Sequence, residues 1–183
     1  MSESFVLGWE EWLGLPKLGL PAIKAKVDTG ARTSALHASV IEPFGSVENP
    51  RVRFLMQPDP ANPLLDVTCS AKVVDRRSIT SSNGEAELRY VLSTDVVMGD
   101  RTWSIEVTLT DRSTMNYRML LGRTSIGDDM VVDPNQSFAQ PELSFGLYKG
   151  LPRRKPVQRP LRIALLTLEK NNYSSRRIIE AGE

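Results

Sequence analysis

In the stretch KVDTGARTSALHA, Lys26 to Ala38, an aspartate ends an apolar run and is followed at once by Thr-Gly-Ala. A carboxylate at a strand end, before a tight turn, is costly to bury without a use, because its charged form loses hydration there. Other reactive side chains are few. The single histidine, His37, has no H-E-x-x-H context and no Cys or carboxylate cluster at metal spacing, so it reads as a strand-surface or core residue. Cys69, within DVTCSAKVV, has no histidine near it in sequence and reads as a small strand residue rather than a catalytic thiol. Ser34 lacks a G-x-S-x-G elbow, and neither a P-loop nor a G-x-G-x-x-G run occurs. By elimination, carboxylates carry any catalysis.

The elements that must position Asp28 read mostly as strands. Val6–Leu13 and Ala22–Val27 are short apolar runs separated by a Gly/Pro turn, which predicts a hairpin. Ser34–Phe44 begins extended, and Arg51–Met56 alternates. Asp66–Asp75 and Ala86–Val97 flank SSNG at Ser81–Gly84, a hairpin-turn signal. Trp103–Leu109 alternates and comes after the turn MGDR. Strands this numerous, with turns every ~8–12 residues, predict an all-β barrel or sandwich.

Composition narrows the classes. The chain has 183 residues, a net charge of +1, 40% hydrophobic and 25% charged residues, ordinary for a soluble globular protein. No apolar run approaches the roughly 20 residues of a membrane span, and the start lacks a signal-peptide pattern. One cysteine excludes an intrachain disulfide, so a cytoplasmic location is expected. Near residue 134 the composition shifts. Pro134–Pro160 holds five prolines, and Lys149–Arg162 is basic without an acid, which predicts an extended solvated linker. Nucleic-acid binding is the weaker alternative, because no aromatics interleave the charges between Arg153 and Arg162. Beyond it, Leu161–Thr167 reads as a strand and the stretch from about Tyr173 as an amphipathic helix, the first half of a βαβ unit.

Asp28-Thr29-Gly30 with Ala31 resembles the active-site turn of retropepsin-type aspartic proteases. MLLGRTSI, Met119–Ile126, resembles the hydrophobic-hydrophobic-Gly-Arg segment found after the flap in that fold. More specifically, K-x-D-T-G-A-x-T-S-A-L-H, the R-x-I-T-S-S-x-G stretch at Arg77–Gly84 and L-L-G-R resemble the bacterial retropepsin-like family also labelled ATP-dependent zinc proteases. The resemblance covers about residues 5–134, with room for an insertion around Glu42–Asp66. It implies an all-β, retropepsin-like closed barrel with a flap hairpin, and Asp28 near Gly122 at its cleft. The tail RIALLTLEKNNYSSRRIIEAGE resembles the opening of RimK-type ATP-grasp glutamate ligases, which add glutamates to protein C-termini. The implied domains are 1–134 (protease), 135–160 (linker) and 161–183 (the truncated start of a ligase).

The function implied is an aspartic-type peptidase acting on peptides or protein tails, glutamate-extended ones among the candidates, linked to a RimK-type ligase. Two carboxylates sharing one proton supply base and acid together, because like charges so close do not both ionise. Asp28 would be one of them, with Thr29 pinning the turn and Gly30 admitting backbone and water. The chain has one D-T-G, so the second carboxylate comes from a two-fold partner chain or the chemistry differs. The implied substrate-binding set is Ala31, Arg32, Arg77, Ser82, Gly84, Arg89 and Arg123. Viral retropepsins often carry an acid where this chain has Arg32. Arg123 therefore lacks that partner, and either Asp128, Asp129 or Asp133 neutralises the two cations or an acidic substrate does. No cofactor and no metal are expected, since residues 1–150 contain no ligand cluster and no nucleotide cradle. A catalytically silent peptide-binding module that presents substrate to the ligase is the alternative.

Overall fold

The computed structural model describes residues 4–80 and 84–150. These form ten strands joined by turns: β1 (Phe5–Leu15), β2 (Leu20–Asp28), β3 (Ser34–His37), β4 (Ser39–Gly45), β5 (Pro50–Met56), β6 (Val67–Thr80), β7 (Ala86–Met98), β8 (Arg101–Thr110), β9 (Met119–Gly122) and β10 (Met130–Ser137). Six of them, in the order β1-β2-β9-β3-β8-β7, close into a barrel where β1 meets β7 at Gly14 opposite Val97. Closure removes the exposed edges of the ring. Alternation along the strands sends Leu7, Leu13, Ile23, Leu36, Leu92 and Leu109 into one fully buried core.

The expected all-β closed barrel is what forms. The first hairpin is β1 and β2, antiparallel from Glu10 opposite Lys26 to Leu15 opposite Leu20. β6 and β7 pair from Val73 opposite Leu92 up to Thr80 opposite Ala86, the two arms expected on either side of SSNG; residues 81–83 lie outside the described residues. The insertion after Glu42 adds β4 and β5 to the outer side of β6, and buries Phe54 and Met56 completely. One expected run divides. Ser34–Phe44 breaks at Ala38, so that β3 stays in the barrel between β8 and β9 while β4 leaves to pair with β5.

Neither β9 nor β10 is expected from the sequence pattern. β10 runs parallel to β1, from Phe5 opposite Met130 to Gly8 opposite Asp133, and then slips to Glu10 opposite Ser137. Pro134 sits inside that slip, on an edge strand where a missing N–H is tolerated. The chain then returns over the barrel. Glu11 is fully buried, and its carboxylate accepts N–H groups from Gly8 (2.7 Å), Ala139 (2.9 Å) and Gln140 (3.3 Å). Phe145 packs edge-on against Trp12, and the buried Tyr148 hydroxyl donates to the Ala22 carbonyl at 2.7 Å. The folded unit therefore extends past the boundary expected at residue 134, as far as Tyr148. The rest of the basic linker and the strand and helix expected after residue 161 lie outside the described residues.

Candidate active site

Asp28 ends β2, and its register partner across the parallel pairing is Gly122, the last residue of β9. The two motif segments separated by most of the chain thus meet side by side. Past Asp28 the chain enters an exposed loop. Asp28 Oδ1 accepts the N–H of Gly30 (3.1 Å) and of Ala31 (3.0 Å), which fixes the carboxylate's orientation. None of the hydrogen bonds among the described residues uses Oδ2. A Cβ on Gly30 would stand 3.3 Å from Asp28 Oδ1, so glycine admits this close approach.

The loop is fastened to the turn after β9 by main-chain bonds. Arg123 N–H donates to the Ala31 carbonyl (2.8 Å), and Thr124 donates to the Arg32 carbonyl through both its N–H (3.0 Å) and its hydroxyl (2.8 Å). Arg123 Nη1 reaches the Thr29 carbonyl at 3.3 Å. The turn is pinned through that carbonyl, while the Thr29 side chain stays exposed. Behind the loop, buried Ser34 accepts the Gly122 N–H at 3.0 Å and shares a 2.7 Å hydroxyl contact with Ser125. Gly122 is needed there, because a Cβ would lie 2.5 Å from the Thr33 carbonyl carbon.

Asp28, Thr29, Gly30, Ala31, Arg32 and Arg123 are therefore one cluster. None of the ion pairs among the described residues includes Arg32 or Arg123, both exposed. Of the acids considered for them, Asp129 pairs with Arg101, and Asp133 accepts Asn135 N–H and Gln136 Nε2. Arg77 lies opposite Arg89 across the β6–β7 pairing, held by Asp75 and by Glu106 at 2.6 Å, and these carboxylates, Glu106 first, push its guanidinium further into the charged form. Arg89 is bound by Glu87 at 2.6 Å, and Thr110 Oγ1 donates to the same carboxylate oxygen at 2.9 Å. Gly84, just before β7, has a φ of 85° and open space around it. Ser82 lies outside the described residues.

Sequence reasoning passed over the loop between β8 and β9, Asp111–Arg118. Arg112 is half-buried there and lies within electrostatic range of both Asp28 and Arg89. His37, fully buried, accepts the Arg112 N–H on Nδ1 at 3.0 Å, and Arg118 Nη1 donates to the Arg112 carbonyl at 2.6 Å. The local signal, a charged Asp-Arg pair directly ending the clean alternation of β8, does not by itself point to Asp28. Cys69 is no nucleophile, since burial pushes its thiol up to about 12 and no thiolate forms at neutral pH. Among the described residues, no group of three or more His, Cys, Asp or Glu side chains could hold a metal ion. No helix among them is long and apolar enough to cross a membrane.

The family described as "Retropepsin-like aspartic endopeptidase RimB" matches residues 6–143, which spans the barrel, the Asp28 loop and the returning segment. The chain belongs to the RimB-like family. Curated relatives of this RimB-like chain bear another name. It is 46% identical over 180 residues to a probable alpha-L-glutamate ligase of Shewanella pealeana, covering 98% of this chain and 39% of that one. A Parasynechococcus marenigrum protein of the same name is 40% identical over 184 residues, covering 100% of this chain and 40% of that one. The RimB-like chain thus spans about two fifths of the length of the curated relatives it matches. The crystal structure of a Legionella pneumophila protein of unknown function (DUF785) superposes with a TM-score of 0.62 at 30% identity, covering 74% of this chain and 97% of that one.

Proposed function

We propose that this chain is an aspartic-type peptidase that uses Asp28 on peptides or protein tails, with glutamate-extended tails as the favoured substrate. The observation that carries the reading is the Asp28 carboxylate: one oxygen is held by two backbone N–H groups and the other is open, on an exposed loop braced by the Gly-Arg turn. Held this way, the carboxylate would offer Oδ2 to the attacking water. A second Asp28, from a two-fold partner copy, would share one proton with it, so that one carboxylate takes the proton of water while the other protonates the leaving amine. Exposure of Thr29 and Gly30 suits such an approach between copies. The exposed cations Arg32 and Arg123 beside the loop support an acidic substrate.

Alignment of relatives named probable alpha-L-glutamate ligase across almost the whole chain supports the proposal that residues 161–183 open a RimK-type ligase region. Peptidase and ligase would then act on the same glutamate-extended tails. The same names favour a second reading, in which the barrel binds a tail silently and presents it to the ligase. Cleavage assays separate the two. Wild type should cut a glutamate-tailed peptide faster than a neutral one, and Asp28→Asn should lose about 10²–10⁴-fold of that rate, with its thermal stability nearly unchanged. A chelator should leave the rate as it is. Binding without cleavage by wild type would favour the silent module, and zinc-restored activity after chelation would contradict the carboxylate mechanism.

A further inference from the structure

Arg112 is held in place by its own backbone. Its N–H donates to His37 Nδ1, its carbonyl accepts from Arg118, and its Nε donates to the Tyr117 carbonyl at 3.1 Å. Its two terminal amino groups take no part in these bonds. None of the ion pairs among the described residues includes Arg112. The neighbouring Asp111 carboxylate is turned to His37 (3.5 Å) and to the Ser113 N–H (2.8 Å).

Pairing of β7 with β8 places Val91 opposite Thr108; continued past that last registered pair it brings Arg89 alongside Thr110, the end of β8, and Arg112 follows two residues later in the loop. The Thr110–Glu87–Arg89 bonds fit that register. Glu87 occupies Arg89 through Nε alone, and the Arg89 side chain is only 12% exposed. Burial, then the charge of Arg89, disfavour the charged form of Arg112, while the Asp28 carboxylate favours it. Two desolvated guanidinium groups of like charge repel one another, and an anion that bridges them removes that repulsion. Arginine is suited to this, since its planar fork takes a carboxylate through two parallel bonds.

We propose that Arg112, with Arg89 beside it, forms a subsite next to Asp28 that grips a side-chain carboxylate of the bound chain, which makes Arg112 a specificity-determining residue. This rests on the reading of Asp28 as the catalytic carboxylate only for where the cleaved bond lies; the grip itself requires no cleavage. A different role is an ion partner that helps to hold the Asp28 carboxylate in place, and it would affect every substrate alike.

Binding decides between them in the Asp28→Asn background, where no turnover interferes. A fluorescent peptide ending in several glutamates and its glutamine counterpart of equal length are titrated by anisotropy. Arg112→Ala should weaken the glutamate peptide by about 10- to 100-fold, the worth of a charge-assisted pair, and leave the glutamine peptide within about twofold. Arg112→Lys, which keeps the charge without the fork, should fall between. Melting curves identify any variant that fails to fold, and Arg112→Lys then carries the test. Equal weakening of both peptides, no weakening, or no binding of either overturns the subsite. Selective binding that depends on Arg112, in a protein whose wild type cleaves neither peptide, would refute the peptidase and leave the subsite standing.

Discussion

Protonating His37 means breaking the bond in which Nδ1 accepts the Arg112 N–H, inside a site where the ring is only 1% exposed. Burial, and then the charge of Arg118, hold its pKa below the usual histidine value, with Asp111 acting the other way. The unfolded chain binds the proton more readily than the folded one, so His37's contribution is present above a pH of about 6.5 and is lost as pH falls below it. Thermal melts of wild type should therefore drop between pH 7.5 and 5.5 by more than those of His37→Gln, and parallel curves would contradict this. Asp28 was legible because its motif is local: strand, carboxylate, Thr-Gly turn. Arg112 was not, because its meaning depends on two registers, β8 beside β3 and β7 beside β8, that bring distant residues together.

At the scale of elements, the contact between β9 and the Asp28 loop is the tightest part of the site. Gly122 packs against the backbone of Thr33 and Ser34, where neighbouring atoms belong to main chain and have no rotamer to change. Gly122→Ala should cost about 1–3 kcal/mol of stability, seen as a melting point lower by several degrees, and should reduce activity further by displacing the loop. An unchanged melting point would mean that the barrel opens there without cost. Strands with clean alternation, such as β5 and β8, could be read from period alone. β9 could not, since four residues, three of them buried, carry no period. β10 was hidden by Pro134 and its polar neighbours, whose composition resembles a linker; only its parallel pairing with β1 and the burial of Glu11 make it part of the fold.

For the whole molecule, strand count and turn spacing narrowed the fold to an all-β barrel or sandwich, and the resemblance carried by D-T-G-A and L-L-G-R chose the closed barrel, whereas the partner copy is a demand of the proposed mechanism alone. A single D-T-G supplies a single carboxylate, and proton sharing requires two. On the proposed mechanism the active unit would be two copies facing one another at their Asp28 loops, and specific activity should then rise with protein concentration until pairing saturates. The most direct measurement co-expresses wild type with the inactive Asp28→Asn chain in equal amounts and compares cleavage of the glutamate-tailed peptide at fixed total protein. If both carboxylates are required, random pairing leaves about one quarter of the wild-type rate; a rate of about one half, independent of concentration, would mean that each chain works alone and would contradict the shared pair.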